Sequence, residues 1–240
     1  MSSHTGILYG IGVGPGDPEL ITLKALKVLQ RTPYIFAATS SRNTYSLALD
    51  IVRSHVHEAQ IEKLPFPMSR DLEILQEAWD ENARRVLAVL ARGSDAAFIT
   101  LGDPLTFSTF GYLLRTMKHF DPAVRIITIP GITSYHAAAA LIHTPVSEGE
   151  ESFLVVSGSL GAAKLREVID TTDNIILLKT YRHLDSILAT LDEMGLTDQA
   201  VCISRCGLEG ETVVHDVRRL KGQSIPYLSM IIIKKKAQGF

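Results

Sequence analysis

With 240 residues, 46% of them hydrophobic and 21% charged, the chain has the length of one large or two ordinary globular domains. A formal charge of −2 gives no general electrostatic reason to bind nucleic acid or an anionic membrane, and no apolar run approaches the ~20 residues that span a bilayer. Met1–Thr5 has no basic patch and apolar core of a secretory signal, and Cys202 and Cys206, without a histidine pair nearby, fit neither zinc nor a disulfide along one strand. A cytoplasmic protein with reduced thiols is the expectation.

Strand-like and helix-like segments alternate through the first half. Ile7-Leu8-Tyr9 reads as a strand, Gly10-Ile11-Gly12-Val13-Gly14-Pro15-Gly16-Asp17-Pro18 as a glycine-rich turn, and Leu20 to Leu29 as an amphipathic helix with Asp17 as N-cap and Pro18 at the first helical position. Tyr34 to Ala38 is a second strand, Tyr45 to Arg53 a helix, Gln60 to Leu64 a third strand and Pro65-Phe66-Pro67 a turn. A long helix capped by Ser69 runs through Arg92 and stops at Gly93. Asp95 to Leu101, apolar almost throughout, is a strand buried on both faces. A helix over Thr109 to Phe120, a strand over Arg125 to Ile129 and an alanine-rich helix over Ser134 to Ile142 follow.

The pattern changes at residues 143–150, a polar, turn-rich stretch that reads as a linker between domains 1–143 and 144–240. Beyond it, strands fit 152–156, 174–178, 200–204, 212–215 and 227–233, with helices over 162–169 and 183–194. The strand at 212 follows too closely for a helical crossover, so an antiparallel hairpin is expected. The fold class is α/β: a parallel-rich N-terminal sheet and a mixed C-terminal one.

The opening glycines suggest a dinucleotide fingerprint, which fails. Starting at Gly12 the third glycine falls on Asp17, starting at Gly10 it falls on Pro15, and no acidic residue ends the second strand. No Gly-Lys-Ser/Thr follows either, and a bare structural turn would use the same residues. Two further breaks follow strands, however: Gly102-Asp103-Pro104 and Pro130-Gly131-Ile132-Thr133-Ser134. In a doubly wound sheet such strand ends share one edge, where bare backbone groups and the Asp103 carboxylate would suit a polar, partly cationic ligand. Thr106, Ser108, Thr109, Thr133 and Ser134 add hydroxyls that serve equally as helix caps.

Gly-Val-Gly-Pro-Gly-Asp-Pro after the first strand, Leu101-Gly102-Asp103-Pro104 with Ser108-Thr109, and Pro130-Gly131-Ile132-Thr133-Ser134 resemble the tetrapyrrole (corrin/porphyrin) methyltransferase family along nearly the whole chain. The likeness implies a two-domain class III methyltransferase-like fold with the active site between the domains and S-adenosylmethionine as methyl donor. Within the family, the opening stretch through Ala25, Pro65-Phe66-Pro67-Met68 before the Trp79 helix, and Tyr227-Leu228-Ser229-Met230-Ile231-Ile232 resemble the members acting on C20 of precorrin-2 or cobalt-precorrin-2. That implies methylation of the meso carbon between rings A and D, giving precorrin-3A or cobalt-precorrin-3 in cobalamin biosynthesis.

Position by position, the resemblance assigns Gly102, Asp103, Thr106, Ser108, Thr109, Pro130, Ile132 and Ser134 to the cofactor. It adds Thr180 and Tyr181 after Lys179, then Cys206, Gly207 and Leu208, and last Tyr227, Leu228, Ser229 and Met230. Val13, Gly14, Pro15, Gly16 and Asp17 are assigned to the tetrapyrrole, Asp17 being either an acidic catalytic group or only a cap. Arg42, Arg53, Arg70, Arg182 and His183 are candidates for substrate carboxylates, and each alone reads more readily as a solvated surface residue. His136 and His143 have no ligand partner at metal spacing, so no protein-bound metal is expected. A homodimer is implied, with no nucleic acid or membrane partner. Alternatives are a family member acting on another corrin carbon, on RNA or on a diphthamide precursor, and a protein that binds the cofactor or a tetrapyrrole without turnover.

Overall fold

A computed structural model describes residues 5–40, 45–56 and 58–235. The chain divides into two compact units, Met1–Thr133 and Ser134–Phe240.

The first unit is a parallel sheet covered on both faces. Its strands are β1 (Leu8–Gly12), β2 (Tyr34–Ser40), β3 (Gln60–Phe66), β4 (Ala96–Thr100) and β5 (Ile126–Ile129), in the order β3-β2-β4-β1-β5 with every pair parallel. Along β4 successive side chains face opposite ways. Ala97 and Ile99 pack with Val28, Leu29, Leu49 and Val52 from helices α1 (Leu23–Leu29) and α2 (Leu47–Val52). Ala96 and Phe98 pack with Val86, Leu90, Leu113 and Met117 from α3 (Leu72–Ala91) and α4 (Phe110–Phe120). Each fully buried side chain of this size contributes about 1.5–3 kcal/mol.

Several local expectations shift. Gly10 and Gly12 belong to β1 rather than to the turn, because each faces something that leaves no room for a side chain: the Phe110 ring at Gly10, and the backbone of Gly102 and Gly131 at Gly12. Asp17 and Pro18 start a 3-10 turn (Pro18–Leu20), and α1 begins at Leu23 under the Thr22 hydroxyl, which accepts from Ala25 N at 3.2 Å. Pro65 and Phe66 continue β3, opposite Thr39 and Ser40; the strand is at the sheet edge, where a missing N–H is tolerated. Asp71 rather than Ser69 caps α3, accepting from Glu73 N, while Ser69 Oγ accepts from Asp71 N.

The second unit contains α5 (Ser134–Leu141), β6 (Phe153–Ser157), α6 (Ala162–Val168), β7 (Asn174–Leu178), α7 (Leu184–Glu193), β8 (Ala200–Ser204), β9 (Thr212–Val214) and β10 (Ser229–Lys234). Its sheet order is β6-β7-β10-β8-β9; β6–β7 is parallel, while β7–β10, β10–β8 and the β8–β9 hairpin are antiparallel. Helices α6 and α7 cover one face, with Leu165, Ile187 and Leu191 on Ile175, Leu177 and Ile231. Helix α5 covers the other, with Tyr135 and Ala138 on Ile176, Ile203, Met230 and Ile232.

The units therefore meet in sequence at Thr133/Ser134, upstream of the expected linker. The polar stretch near residue 148 is bound into the second sheet instead. Lys234 Nζ, on β10, donates to Glu148 Oε2 at 3.1 Å and to Glu151 Oε2 at 2.6 Å. Asn174 Nδ2, on β7, donates to Val146 O and to Glu151 Oε2.

Candidate active site

β4, β1 and β5 are neighbours, and the connections leaving β1 and β4 run to opposite sides of the sheet. That arrangement opens a crevice at the carboxyl ends of the strands. The three sequence breaks all leave from there, and they are joined main chain to main chain. Gly14 and Gly102 exchange both backbone hydrogen bonds, Gly102 N to Gly14 O at 2.7 Å and Gly14 N to Gly102 O at 3.4 Å. A Cβ on Gly131 would overlap Gly102 O and lie 2.8 Å from Gly12 Cα; one on Gly12 would lie 2.7 Å from Gly131 N. Glycine is required at both positions by close approach, not by turn conformation.

Asp103 completes the joint. Its Oδ1 accepts from Leu105 N at 2.9 Å and from the Thr106 hydroxyl at 3.2 Å, and its Oδ2 accepts from Gly131 N at 3.1 Å. One carboxylate thus folds its own loop and ties it to the next. The loop's far end is held by Ser108 Oγ, which accepts from Phe110 N at 3.2 Å; Thr109 is the N-cap residue of α4 without a side-chain cap bond. Phe107 has a φ of 51°, a left-handed conformation costing a residue with a Cβ about 1–2 kcal/mol. Pro130 is exposed, Ile132 and Ser134 half-buried.

Val13, Gly14, Pro15 and Gly16 are buried, Val13 N continuing the ladder to Thr100 O at 2.9 Å. Asp17 caps the 3-10 turn through Glu19 N at 2.8 Å. The three loops contain Asp17, Glu19 and Asp103 and no lysine or arginine, so the edge favours a cation.

The second unit gathers its assigned residues by a different route. β10 runs against β7 and β8, so its start lies at their ends, with Met230 opposite Leu178 and Ser229 opposite Ser204. Ser229 Oγ bonds Ser204 Oγ at 2.8 Å and donates to Pro226 O at 2.6 Å, and Arg205 N donates to Leu228 O at 2.7 Å. Tyr181 and Tyr227 meet edge to face, ring centroids 5.0 Å apart, and the Arg182 guanidinium lies over Tyr181. Thr180, Cys206, Ser229 and Met230 are buried, and Met230 and Cys206 sit in the core under α5. Gly207 N donates to the Glu211 carboxylate, and Leu208 is half-buried. Lys179, Arg182, His183, Arg205 and Tyr227 are exposed on this edge, as are Glu209, Glu211 and Pro226, and Arg205 Nε donates to Glu209 O at 2.6 Å. Lys179 and Arg205 both hold positive φ, 60° and 55°.

Of the other candidates, Arg53 pairs with Asp50 at 3.2 Å, Arg70 is exposed, and Arg42 lies outside the described residues. His143, with φ 51°, ends α5 in the position that favours such a conformation. Burial, reinforced at Cys206 by Glu211, pushes both thiols up to about 11, so neither is a thiolate nucleophile near neutral pH. Among the described residues no three His, Cys, Asp or Glu side chains gather as a metal site, and no helix is long and apolar enough to cross a membrane. Leu105 and Phe107 were not singled out by sequence; an apolar residue beside a proline carries no sign of its exposure.

Comparison with known proteins identifies the family. Residues 7–220 match the family model described as tetrapyrrole (corrin/porphyrin) methylases. A cobalt-precorrin-2 C(20)-methyltransferase of Salmonella typhimurium is 32% identical over 235 residues, 96% of this chain and 97% of the relative. A probable cobalt-precorrin-2 C(20)-methyltransferase of Methanocaldococcus jannaschii is 34% identical over 233 residues, 95% of this chain and 96% of the relative. The solved uroporphyrin-III C-methyltransferase of Thermus thermophilus complexed with S-adenosylhomocysteine superposes with a TM-score of 0.68 at 22% identity, covering 96% of this chain and 98% of that one. The chain belongs to the tetrapyrrole (corrin/porphyrin) methylase family.

Proposed function

We propose that the protein transfers a methyl group from S-adenosylmethionine to C20 of precorrin-2 or cobalt-precorrin-2 in cobalamin biosynthesis. The single observation carrying this is the match to two C20-methyltransferases at 32% and 34% identity over nearly the full length of all three chains. The donor supplies an electrophilic methyl group on a sulfonium. Its positive charge fits loops that hold three carboxylates and no basic side chain. On the first unit we assign the donor to Gly102, Asp103, Thr106, Ser108, Thr109, Pro130 and Ile132. On the second we assign it to Ser134, Thr180, Tyr181, Cys206, Gly207, Leu208, Tyr227, Ser229 and Met230. Thr180, Cys206, Ser229 and Met230 are buried, so their share falls to the main chain.

The chain's own contribution is positional. Asp103 keeps two loops in register, and a rigid nest of this kind aligns a nucleophilic carbon, methyl group and leaving sulfur, lowering the barrier by orientation. The new bond joins the methyl group to C20 as its bond to sulfur breaks, and C20 or a ring nitrogen loses a proton. Acidic side chains on the macrocycle need cations, which the three loops lack; we assign that part to Arg182, exposed on the second unit. We assign Val13 to Asp17 to the substrate through main-chain contacts. A cytoplasmic homodimer accompanies this proposal, tested by its sedimentation.

Labelled donor mixed with precorrin-2 and, separately, cobalt-precorrin-2 tests the function. The expected product is one methylene heavier, with the label on C20. Label on another ring carbon, on RNA or on protein would overturn it.

A further inference from the structure

Helix α3 buries Ala83, Val86 and Leu90 in the core and turns the opposite stripe, Glu73, Glu77, Glu81, Arg84, Ala88 and the C-cap Arg92, to solvent. These residues recur every three or four positions, so they form one row along a helix about 30 Å long. The row is acidic over its first half and basic over its second. The helix dipole accounts for Glu73 and Arg92 at the two ends. It does not account for Glu81 and Arg84, which lie near the middle. Arg84 reaches Asp80 and Glu81 only at 3.9 and 4.0 Å, with 62% of its side chain exposed, and such open pairs hold little of their charge. Glu77 and Arg92 enter no ion pair among the described residues. Apolar groups follow the same reversal. Near the first end Ile74 stands 48% exposed. Near the second, Leu87, Ala88 and Ala91 floor a shallow groove walled by Arg84 and by Phe120 of α4, with the Arg84 guanidinium 5.3 Å from the centre of the Phe120 ring.

We propose that a second copy of this chain docks on this face, α3 against α3, antiparallel about a twofold axis that passes the helix between Asn82 and Ala83. A face with a knob and an acid at one end, and a groove and a base at the other, complements itself when turned end for end. The axis sets Glu73 opposite Arg92, Glu81 opposite Arg84, Glu77 opposite Ala88, and Ile74 over Ala91 in the groove. Each contact is made twice, and alanine at 88 and 91 lets the two helices come close. Parallel helices would set acid on acid and base on base, so charge selects the antiparallel pair. A face one helix wide is at the small end of specific interfaces, and a micromolar dissociation constant is expected. This gives the homodimer of the functional proposal its interface; it rests on that homodimer and is independent of which carbon is methylated.

Sedimentation velocity of the full chain from about 1 to 100 µM should show a monomer–dimer equilibrium. Arg84→Glu, which sets acid against acid on both sides of the axis, is expected to raise the dissociation constant at least about tenfold. Adding Glu81→Arg to it should restore the dimer to within about threefold, whereas adding the remote Glu150→Arg, an equal change in net charge, should not. A chain carrying both Glu77→Cys and Ala88→Cys should give a disulfide-linked dimer with oxidised glutathione, and Glu77→Cys alone should give none, since Cys202 and Cys206 are buried. A wild type that stays monomeric throughout overturns the interface and the homodimer together. A dimer indifferent to Arg84→Glu, or one rescued equally by Glu150→Arg, overturns the interface and leaves the homodimer to another face. A dimer that responds as expected while precorrin-2 stays unmethylated keeps the interface and removes the C20 proposal.

Discussion

The loop edges of the two units are made of different materials. In the first, glycine backbones press directly on one another and one carboxylate ties them. In the second, antiparallel strands bring hydroxyls and rings together, Ser204 on Ser229 and Tyr181 on Tyr227. A joint of bare backbone has no slack, because an added atom can only move the main chain. A joint of side chains loses one contact and keeps the rest.

Gly131→Ala is the strongest test of that contrast, since its new methyl group meets Gly102 O and Gly12 Cα, both main chain. The expected loss is about 2–3 kcal/mol in chemical denaturation, with donor binding lost alongside. Ser204→Ala removes one hydroxyl from a pair whose other member still donates to Pro226 O, so about 1 kcal/mol is expected. Equal losses in the two variants would abolish the distinction.

Asp103→Ala is expected next in size. It leaves Leu105 N, Thr106 Oγ1 and Gly131 N without their acceptor, but the loop is open to solvent and water takes up most of the loss, so about 1–2 kcal/mol is expected. Donor affinity should fall at least about tenfold with circular dichroism intact. Asp103→Asn should recover only part, because an amide nitrogen turned to Gly131 N sets donor against donor. Unchanged calorimetric binding would take Asp103 out of the site.

The smallest effect concerns pH. The hydrogen bond from Lys234, then that from Asn174, holds the Glu151 carboxyl below its usual value. Its contribution is complete above the unfolded carboxylate range near ~4.3 and is lost as pH falls through the lower folded value. For Lys234, burial pulls downward, but the bonds to Glu151 and Glu148 outweigh it and the value is raised. That contribution is complete below the unfolded lysine value and is lost only as alkali passes the folded one. Melting of the wild type should therefore worsen on acidification below about pH 4, and Glu151→Gln should flatten that slope. Parallel slopes in the two proteins would assign the acid sensitivity elsewhere.

Much of this was legible in the residues. β7 and β8 match the sequence expectation at Asn174–Leu178 and Ala200–Ser204 because each is a short apolar run with turn chemistry on both sides. The convergence of the three breaks was legible as well, since parallel strands put their ends on one edge. Gly10 and Gly12 were not readable as strand, because what excludes their side chains is the Phe110 ring and the Gly131 backbone, far away in sequence. Helix α5 was legible at Ser134 to Ile142, but its place in the second unit was not, because an alanine-rich surface fits either neighbour until Tyr135 is seen on Ile203. Phe107 escaped for a related reason: local propensity does not say which way a strained residue points.

Each sheet has an interior strand out of chain order. β1 is made first yet stands between β4 and β5, while β10 is made last yet stands between β7 and β8. On the ribosome, Leu8–Gly12 therefore waits as an unpaired apolar ribbon until Ala96–Thr100 emerges and keeps one open edge until Ile126–Ile129 follows, and the second sheet has no centre until translation passes Lys234. The second unit therefore stays exposed until β10 is available, which makes cellular yield sensitive to chaperone supply.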